Sequence, residues 1–297
     1  MEVGFVGLGR MGQAMAARLA SRGHRVVAYD VSPQAVAPVA NRGVEPAESL
    51  EDLAGMLAPP RTVWLMVPAG KPVEEVIFDG LLPHLAVNDL VVDGGNSNYK
   101  DSMRRADKLR EKGIEFLDVG TSGGVAGVQT GLSLMAGGSE EAFRRLEPLL
   151  KELAAPGGHG LMGPNGTGHF VKMVHNGVEY ALLQSYAEGF ELLREGPFEL
   201  DLGLVARVWN SGGVVRSWLL KLAQRVLERD GLKDVAAEVA GGQTGRWAVE
   251  AALESGVPFS MVGLALSERY RSRRESFAAK LMAALRREFG GHPVIKK

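Results

Sequence analysis

One short stretch near the middle of the chain concentrates side chains that can exchange protons. It reads Gly166-Thr-Gly-His-Phe-Val-Lys-Met-Val-His-Asn-Gly-Val-Glu-Tyr180. If the stretch is helical, its lysine, histidine, amide and carboxylic acid fall at i, i+3, i+4 and i+7 and share one face, as Lys172, His175, Asn176 and Glu179. A helix face that packs into a core is normally apolar. We therefore predict that this face is an active-site wall with a proton acceptor and a proton donor.

The elements that must position this face alternate between short β-rich runs and longer helical patterns in the first half of the chain. The predicted strands are Val3–Gly7, Arg25–Asp30, Thr62–Val67, Leu90–Asp93, Glu115–Val119 and Ser133–Ala136. The predicted helices lie near Met11–Arg22, Glu48–Leu57, Lys71–Phe78, Tyr99–Lys112 and Ser139–Leu153. Such alternation predicts an α/β fold with a Rossmann-type, doubly wound parallel sheet.

The strand signals fade after Pro164, and the rest of the chain reads as helices. The predicted breaks fall at Gly196-Pro197, Gly212-Gly213, Gly241-Gly242 and Gly256-Val-Pro258. We therefore predict two domains, an NAD-binding Rossmann domain over residues 1–163 and an all-helical substrate and oligomerisation domain over residues 164–297.

Composition excludes several classes of function. Hydrophobic residues make up 45% and charged residues 23% of the 297, with a formal net charge of −1, so no nucleic-acid or membrane partner is expected. The chain has no cysteine, which rules out disulfides, thiolate metal sites and a cysteine nucleophile. Its histidines show no metal-ligand spacing, and we expect no metal. No targeting segment precedes the first strand and no run of about 18 apolar residues is present, so we expect a cytoplasmic protein.

A glycine-rich turn between the first strand and the first helix predicts a dinucleotide site. Its sequence is Gly7-Leu-Gly-Arg-Met-Gly12, which permits a tight turn and presents helix N–H groups to a pyrophosphate. Asp30 ends the second strand, where a carboxylate binds ribose hydroxyls and repels a 2′-phosphate, so NAD is favoured over NADP. The predicted cofactor contacts are Gly7, Leu8, Gly9, Arg10, Met11, Gly12, Asp30, Val67 and Asn96.

Two further loops follow predicted strands at the same edge of the sheet. Asp93-Gly-Gly-Asn-Ser-Asn-Tyr99 supplies an amide and hydroxyls, and Gly120-Thr-Ser-Gly-Gly124 supplies a hydroxyl and free backbone N–H groups. Either loop alone is typical of an ordinary turn. Because both lie at the edge where the dinucleotide binds, we predict that they face the reaction.

Together these motifs resemble the 6-phosphogluconate dehydrogenase family, within the wider β-hydroxyacid dehydrogenases. The resemblance extends to Ser133-Leu-Met-Ala-Gly-Gly138, Gly242-Gln-Thr-Gly-Arg-Trp247, Gly256-Val-Pro258, Arg269 and Phe289-Gly-Gly-His292, and so covers nearly the whole chain. It implies oxidative decarboxylation of 6-phosphogluconate to ribulose 5-phosphate without a metal.

The resemblance also implies residue roles. Lys172 is expected to be the general base, which must be neutral to accept a proton, and Glu179 the general acid; His175 and Asn176 complete the catalytic group. The implied substrate contacts are Asn96, Ser122, Gly123, Gly124, His175, Asn176, Tyr180, Arg269, Arg286 and His292. The last two are expected to reach a neighbouring subunit's site from the C-terminal tail of a homodimer or homotetramer.

The chain departs from the long members of the family near the expected phosphate end. The segment after Gln243 lacks the lysine and glycine of the long form, and Thr244 and Arg246 are candidates for part of that role. These features are similar to the short, often NAD-preferring branch.

Three other functions are compatible with parts of the pattern. A dehydrogenase for a small β-hydroxyacid, of the 3-hydroxyisobutyrate or tartronate semialdehyde type, would share the dinucleotide motif, Ser122-Gly-Gly124 and Lys172. The neighbouring His175 and Glu179 favour the decarboxylating reaction over it. A non-catalytic dinucleotide-binding module would be expected to lose Lys172, and a metal-dependent decarboxylase would need the absent ligand spacing.

Overall fold

The computed structural model describes residues 1–229, 232 and 235–273, and the chain divides into two compact units at 175/176. The predicted domain boundary at 163/164 coincides with the end of the last strand, whereas the compact units divide later, inside a long helix. The first turns of that helix pack on the sheet, so they belong with the first unit.

The first unit is built on an eight-stranded sheet. Its strands are β1 (Glu2–Val6), β2 (Arg25–Tyr29), β3 (Val44–Pro46), β4 (Thr62–Leu65), β5 (Leu90–Asp93), β6 (Glu115–Ser122), β7 (Leu132–Gly137) and β8 (Ala154–Gly163). They are arranged in the order β3-β2-β1-β4-β5-β6-β7-β8. The chain therefore reverses direction across the sheet between β1 and β4, which is the switch point where Rossmann-type folds bind ligands.

Helices cover both faces of this sheet. They are α1 (Arg10–Ser21), α2 (Pro33–Ala40), α3 (Leu50–Gly55), α4 (Lys71–Glu74), α5 (Tyr99–Arg110), α6 (Gly124–Thr130) and α7 (Glu140–Leu153), and α4 continues as a π-helix over Glu75–Leu81 and a 3₁₀ turn over Leu82–His84. Successive strand residues enter different cores: Phe5 packs with Met15 of α1 on one face, and Val6 with Leu53 of α3 on the other. This double coverage confirms the predicted doubly wound α/β architecture.

The sheet is not entirely parallel, which corrects the prediction in one respect. Strand β7 runs antiparallel to β6, with Ser122 opposite Ser133. The short α6 connection cannot carry the chain back to the end at which β6 begins, as a parallel neighbour would require. The elements β3, β8, α2 and α6 were not predicted. Strand β3 has only three residues, and the glycine-rich β8 has little intrinsic strand preference.

The second unit is helical in its described part. Helix α8 (Thr167–Glu195) begins in the first unit and continues into the second, followed by α9 (Leu202–Gly212), α10 (Trp218–Arg229), α11 (Gln243–Glu254) and α12 (Ser260–Arg271). The predicted breaks all fall between these helices or at their ends, which confirms them. A small core of Phe190, Ala206 and Leu220 holds α8, α9 and α10 together. None of the helices in the described ranges has the length and apolarity required to traverse a bilayer.

Candidate active site

The glycine-rich turn between β1 and α1 is shaped to approach a ligand through its backbone. Gly7 has a φ of +94°, and a Cβ added to Gly12 would lie 2.0 Å from the Gly7 carbonyl oxygen, so both positions require glycine. Gly9 caps α1 without any side-chain hydrogen bond. The first N–H groups of a helix lack intrahelical partners, so this turn fits the pyrophosphate of a dinucleotide.

Asp30 lies beside this turn and is held in place through both carboxylate oxygens. Oδ2 accepts a hydrogen bond from the Leu8 N–H at 2.6 Å, and Oδ1 accepts one from the Ser32 N–H at 2.8 Å. Each carboxylate oxygen retains acceptor capacity after these bonds. A fixed negative charge therefore lies beside the turn, where a ribose hydroxyl could donate to it.

A buried carboxylate holds the loop after β5 through hydrogen bonds. Asp93 is fully buried; its Oδ1 accepts from the Gly95 N–H at 3.0 Å, and its Oδ2 accepts from Ser97 Oγ at 2.7 Å and from the Arg105 guanidinium at 3.2 Å. Arg105 is itself fully buried and also donates to Glu74 at 2.7 Å. Burial acts to raise the pKa of Glu74, but hydrogen bonds from Arg104 and Arg105 outweigh it and hold the pKa below its ordinary value.

Asn96 joins this loop to the end of β6. Its Nδ2 donates to the Thr121 carbonyl at 3.1 Å and its Oδ1 accepts from the Thr121 N–H at 2.9 Å, so the side chain mimics a strand pairing. Asn96 itself has a φ of +55°, an unusual conformation that this double bond supports. One amide N–H remains for a ligand. The two loops predicted to face the reaction are therefore physically linked.

Lys172, His175 and Ser122 form a chain of polar contacts within the first unit. Lys172 Nζ lies 3.3 Å from His175 Nδ1, and His175 Nε2 lies 3.4 Å from Ser122 Oγ. Lys172 is only 5% exposed, whereas His175 and Ser122 are partly accessible. If Nδ1 accepts from the lysine, the ring presents Nε2–H to the serine hydroxyl. The arrangement can hold a proton at Lys172 and orient a hydroxyl at the end of β6.

Glycines explain how Lys172 comes so close to β6. A Cβ on Gly120 would lie 2.4 Å from Lys172 Cβ, and a Cβ on Gly168 would lie 2.3 Å from the Asp118 carbonyl oxygen. Any side chain at either position would push α8 away from the sheet. Neither glycine was among the predicted site residues, although both lie in motifs that the sequence singled out.

A buried carboxylate at the start of α8 was also missed. Asp118 of β6 accepts from the Gly166 N–H at 2.6 Å and from the His169 N–H at 2.8 Å. Burial raises the pKa of Asp118, although the electrostatic interaction with His169 and the two N–H bonds oppose this. An acidic residue inside the apolar run Phe116-Leu-Asp-Val119 is the signal that could have identified it, since charged residues are rarely buried without a role.

The predicted substrate residues of the second unit gather around Thr244. Its Oγ1 lies 3.4 Å from Asn176 Nδ2 and 3.3 Å from the Tyr180 hydroxyl, and the Arg269 guanidinium stacks 3.7 Å above the Tyr180 ring. A Cβ on Gly245 would lie 2.4 Å from the same ring, so this position also requires a minimal side chain. An amide, two hydroxyls and a cation thus meet within this unit and can bind an anionic, hydroxylated ligand.

The other predicted residues fall in several places. Arg246 makes an exposed ion pair with Glu250 at 3.2 Å. Glu179 is partly buried on α8, two turns beyond Lys172. Arg286 and His292 lie outside the described residues. Among the residues that the structure describes, no group of three or more histidine, aspartate or glutamate side chains is placed to hold a metal ion.

Two family models match the chain and together cover nearly all of it. The NAD-binding domain of 6-phosphogluconate dehydrogenase matches residues 2–175, and the 6-phosphogluconate dehydrogenase C-terminal domain matches residues 168–294. The chain belongs to the 6-phosphogluconate dehydrogenase family. The resemblance inferred from the motifs is thereby confirmed.

Individual relatives agree with this assignment. The chain is 50% identical over 301 residues to an NAD(+)-dependent, decarboxylating 6-phosphogluconate dehydrogenase of Haloferax volcanii, covering 100% of this chain and 99% of that protein. The structure of Plasmodium falciparum 6-phosphogluconate dehydrogenase, known with NADP+ and with 6-phosphogluconate, superimposes with a TM-score of 0.86 at 29% identity, covering 100% of this chain and 66% of that one. A 3-hydroxyisobutyrate dehydrogenase of Salmonella typhimurium shares the fold, with a TM-score of 0.77 at 24% identity, over 91% of this chain and 93% of that one.

Proposed function

We propose that the protein catalyses the oxidative decarboxylation of 6-phosphogluconate to ribulose 5-phosphate and carbon dioxide, with NAD as the hydride acceptor. The observation that carries the proposal is the buried Lys172, in contact with His175 and through it with Ser122 at the end of β6. The full-length similarity to an enzyme of this name in Haloferax volcanii supports it.

The reaction begins with loss of the proton from the C3 hydroxyl to neutral Lys172. When bound, NAD supplies the acceptor for the hydride that leaves C3. The β-keto acid then loses its carboxylate as carbon dioxide, the C1–C2 electron pair forms the enediol double bond, and protonated Lys172 returns its proton to the C3 oxygen. A buried ammonium group suits this step because its charge is weakly screened where the oxygen becomes negative.

Glu179 completes the reaction as the acid that protonates C2 of the enediol, which becomes C1 of the product, while the enol O–H proton passes back to Lys172. The helical spacing supports this division of roles, because residues seven apart lie on one face of α8, roughly 10 Å along its axis. Both side chains are long, so a base and an acid at these positions can reach towards the adjacent C3 and C2 of one substrate.

Ser122, Asn96 and the Gly123-Gly124 backbone are proposed to bind the carboxylate and hydroxyl end of the substrate. Gly123 has a φ of +121° and Gly124 a φ of +61°, so this backbone can turn its N–H groups towards an anion. Asn176, Tyr180, Thr244 and Arg269 are proposed to serve the distal hydroxyls and the phosphate.

The cofactor preference is proposed to depend on Asp30. Its carboxylate is fixed by hydrogen bonds from Leu8 and Ser32. A 2′-phosphate placed beside it would be repelled, and moving the carboxylate aside would break both hydrogen bonds. Asp30→Asn should lower kcat/KM for NAD and raise it for NADP. An unchanged ratio would remove Asp30 from the selectivity argument.

The second unit supports the proposal of a homodimer or homotetramer. Most of the large apolar side chains that are exposed in the described residues lie in it, including Val208 at 60% and Trp218 at 56% exposure. Apolar surface of this kind is typical of interfaces.

The proposed reaction is tested by supplying 6-phosphogluconate, 3-hydroxyisobutyrate and glycerate separately with NAD and with NADP, while carbon dioxide is trapped. We expect reduced NAD and carbon dioxide in equal amounts with 6-phosphogluconate alone. Turnover of the small hydroxyacids without gas release would instead assign the chain to the simple β-hydroxyacid dehydrogenases.

A further inference from the structure

We propose that Asp118 is a positioning residue for Lys172, acting as a cap for α8 that is supplied by the neighbouring strand β6. The inference rests on the proposed function, in which Lys172 is the general base. Asp118 is proposed to act on Lys172 through the first turn of the helix, and we assign it no contact with substrate or cofactor.

Helix α8 begins without a side chain of its own to cap it. The residue before its first turn is Gly166, with a φ of +95°, and glycine has no side-chain oxygen for the free N–H groups that follow. The Asp118 carboxylate replaces that cap, one oxygen accepting from the Gly166 N–H at 2.6 Å and the other from the His169 N–H at 2.8 Å. A negative charge at this end also interacts favourably with the helix dipole.

The two bonds fix the rotation of the helix, and glycines fix its distance from the sheet. A Cβ on Gly168 would lie 2.3 Å from the Asp118 carbonyl oxygen. A Cβ on Gly137 would likewise lie 2.7 Å from the Gly168 nitrogen and 2.7 Å from Asp118 Oδ1. The backbones of α8 and of strands β6 and β7 are therefore in direct contact. A side chain larger than that of glycine at position 137 would leave no room for the Asp118 carboxylate. Such a contact allows the first turn of α8 only one distance from the sheet and one rotation about the helix axis.

A second tie holds the same turn from α5. His169 is 1% exposed, and its Nδ1 lies 2.7 Å from the hydroxyl of the fully buried Ser102. His169 thus uses its backbone N–H on Asp118 and its ring on α5. The first turn is attached to a strand on one side and to a helix on the other.

Lys172 follows His169 by three residues, less than one helical turn, so any rotation of the first turn carries Lys172 with it. Hydride and proton transfer tolerate little displacement, and a shift of about 1 Å can cost on the order of 100-fold in rate. Loss of the cap should therefore slow the chemical step more than it weakens binding of NAD, whose proposed turn lies at β1 and α1.

The test compares Asp118→Asn and Asp118→Ala with Asp89→Asn. Asp89 is the control, since it is also fully buried and accepts two backbone N–H bonds, from Arg61 at 2.6 Å and Ala86 at 2.9 Å, together with an ion pair from the Arg61 guanidinium at 3.1 Å, but it precedes β5 at the amino ends of the strands. Each variant is assayed well below its Tm with ordinary and C3-deuterated 6-phosphogluconate. Hydrogen exchange is followed in the peptide covering residues 164–175.

We expect kcat to fall on the order of 10-fold in Asp118→Asn and 100-fold in Asp118→Ala, with a larger deuterium isotope effect, unchanged affinity for NAD and faster exchange in the 164–175 peptide. Asp89→Asn should lower the Tm without changing kcat, the isotope effect or that exchange. Because asparagine keeps one acceptor, the Asn variant remains informative if the Ala variant does not fold.

Two results would overturn the inference. One is a lower Tm in the Asp118 variants with an unchanged kcat and isotope effect, which would make the residue purely structural. The other is unchanged exchange in the 164–175 peptide, which would mean that the carboxylate does not hold the turn. If the wild type does not turn over 6-phosphogluconate, the proposed function fails, and the exchange measurement still decides whether Asp118 holds α8.

Discussion

Helix α8 is held in different ways over its first turns and farther along. In the first unit, its backbone lies directly against β6 and β7 through Gly168, and Asp118 caps it. In the second unit, Asn176 and Tyr180 of the helix meet Thr244 through their side chains. Backbone contacts allow one position, whereas long side chains can adjust. The residue proposed to move a proton is thus rigidly held, and those proposed to bind the distal substrate are more adaptable.

The two units also differ in how they bury apolar side chains. The first has two extensive cores, one on each face of its sheet, while the described part of the second buries fewer apolar side chains and exposes more of the large ones. A unit that exposes many apolar side chains depends more on association for its stability. We therefore expect the first unit to respond to changes in its interior and the second to changes on its surface.

The largest contrast is expected between Lys172→Met and Glu179→Gln. Removal of the proposed general base should lower kcat by about 10²–10⁴-fold, because Lys172 is the group proposed to take the C3 hydroxyl proton. Glu179→Gln should cost less, since it affects only the later protonation of carbon. Stopped-flow measurement of reduced NAD separates the two: the Met variant should lose the first turnover and the Gln variant should keep it. A Lys172→Met enzyme with full turnover would disprove the proposed base.

A second contrast compares Gly168, which lies on α8 against the sheet, with Gly245, which lies on α11 against Tyr180 of α8. Gly168→Ala should destabilise the fold by about 3 kcal/mol, because the added carbon meets backbone atoms that cannot move aside. Gly245→Ala meets the Tyr180 ring, which can shift, so we expect a smaller loss of stability and a raised KM for 6-phosphogluconate. Urea denaturation and steady-state kinetics measure both. Equal destabilisation would argue that the second unit is as rigid as the first.

Surface substitutions address the proposed association. Val208→Asp on α9 should weaken the oligomer, raising its dissociation constant by on the order of 10–100-fold, because a charge would be buried in an apolar interface. Val87→Asp in the first unit is the matched control, with 65% exposure against 60% for Val208. Sedimentation velocity over a dilution series reports the effect. If both variants behave like the wild type, the exposed face of α9 is not an interface.

The smallest effect concerns acid stability. Because the pKa of Glu74 is held below 4.5 in the folded protein, its ion pairs stabilise the fold above about pH 4.5, and this contribution is lost as the pH falls through the lowered pKa. Glu74→Gln should therefore cost about 1 kcal/mol at pH 7, and the difference from wild type should shrink towards pH 3. Tm measured across this range tests it. Glu250→Gln, which breaks the exposed pair with Arg246, should change little at any pH.

Much of the architecture was predictable because it depends on local pattern. The alternation of strands and helices, the glycine turn after β1 and the Gly and Pro breaks between the later helices are all sequence periodicities or backbone requirements. The antiparallel β7 and the β8 strand were not predictable in this way. Strand β7 is antiparallel because its connection from β6 is too short to return to the start of β6. The glycine-rich β8 becomes a strand because it pairs with β7, and not because of its own sequence.

The sequence by itself determined which chemistry was available. The types and spacing of Lys172, His175, Asn176 and Glu179 placed the proposed base and the proposed acid on one helix face, and the regular α8 preserves that spacing. Tertiary structure decided which groups hold them. The Asn96 pairing with Thr121, the approach of Gly168 to β6 and the Asp118 cap join residues that are far apart in the chain, and such contacts depend on packing and hydrogen-bond satisfaction that no local pattern encodes.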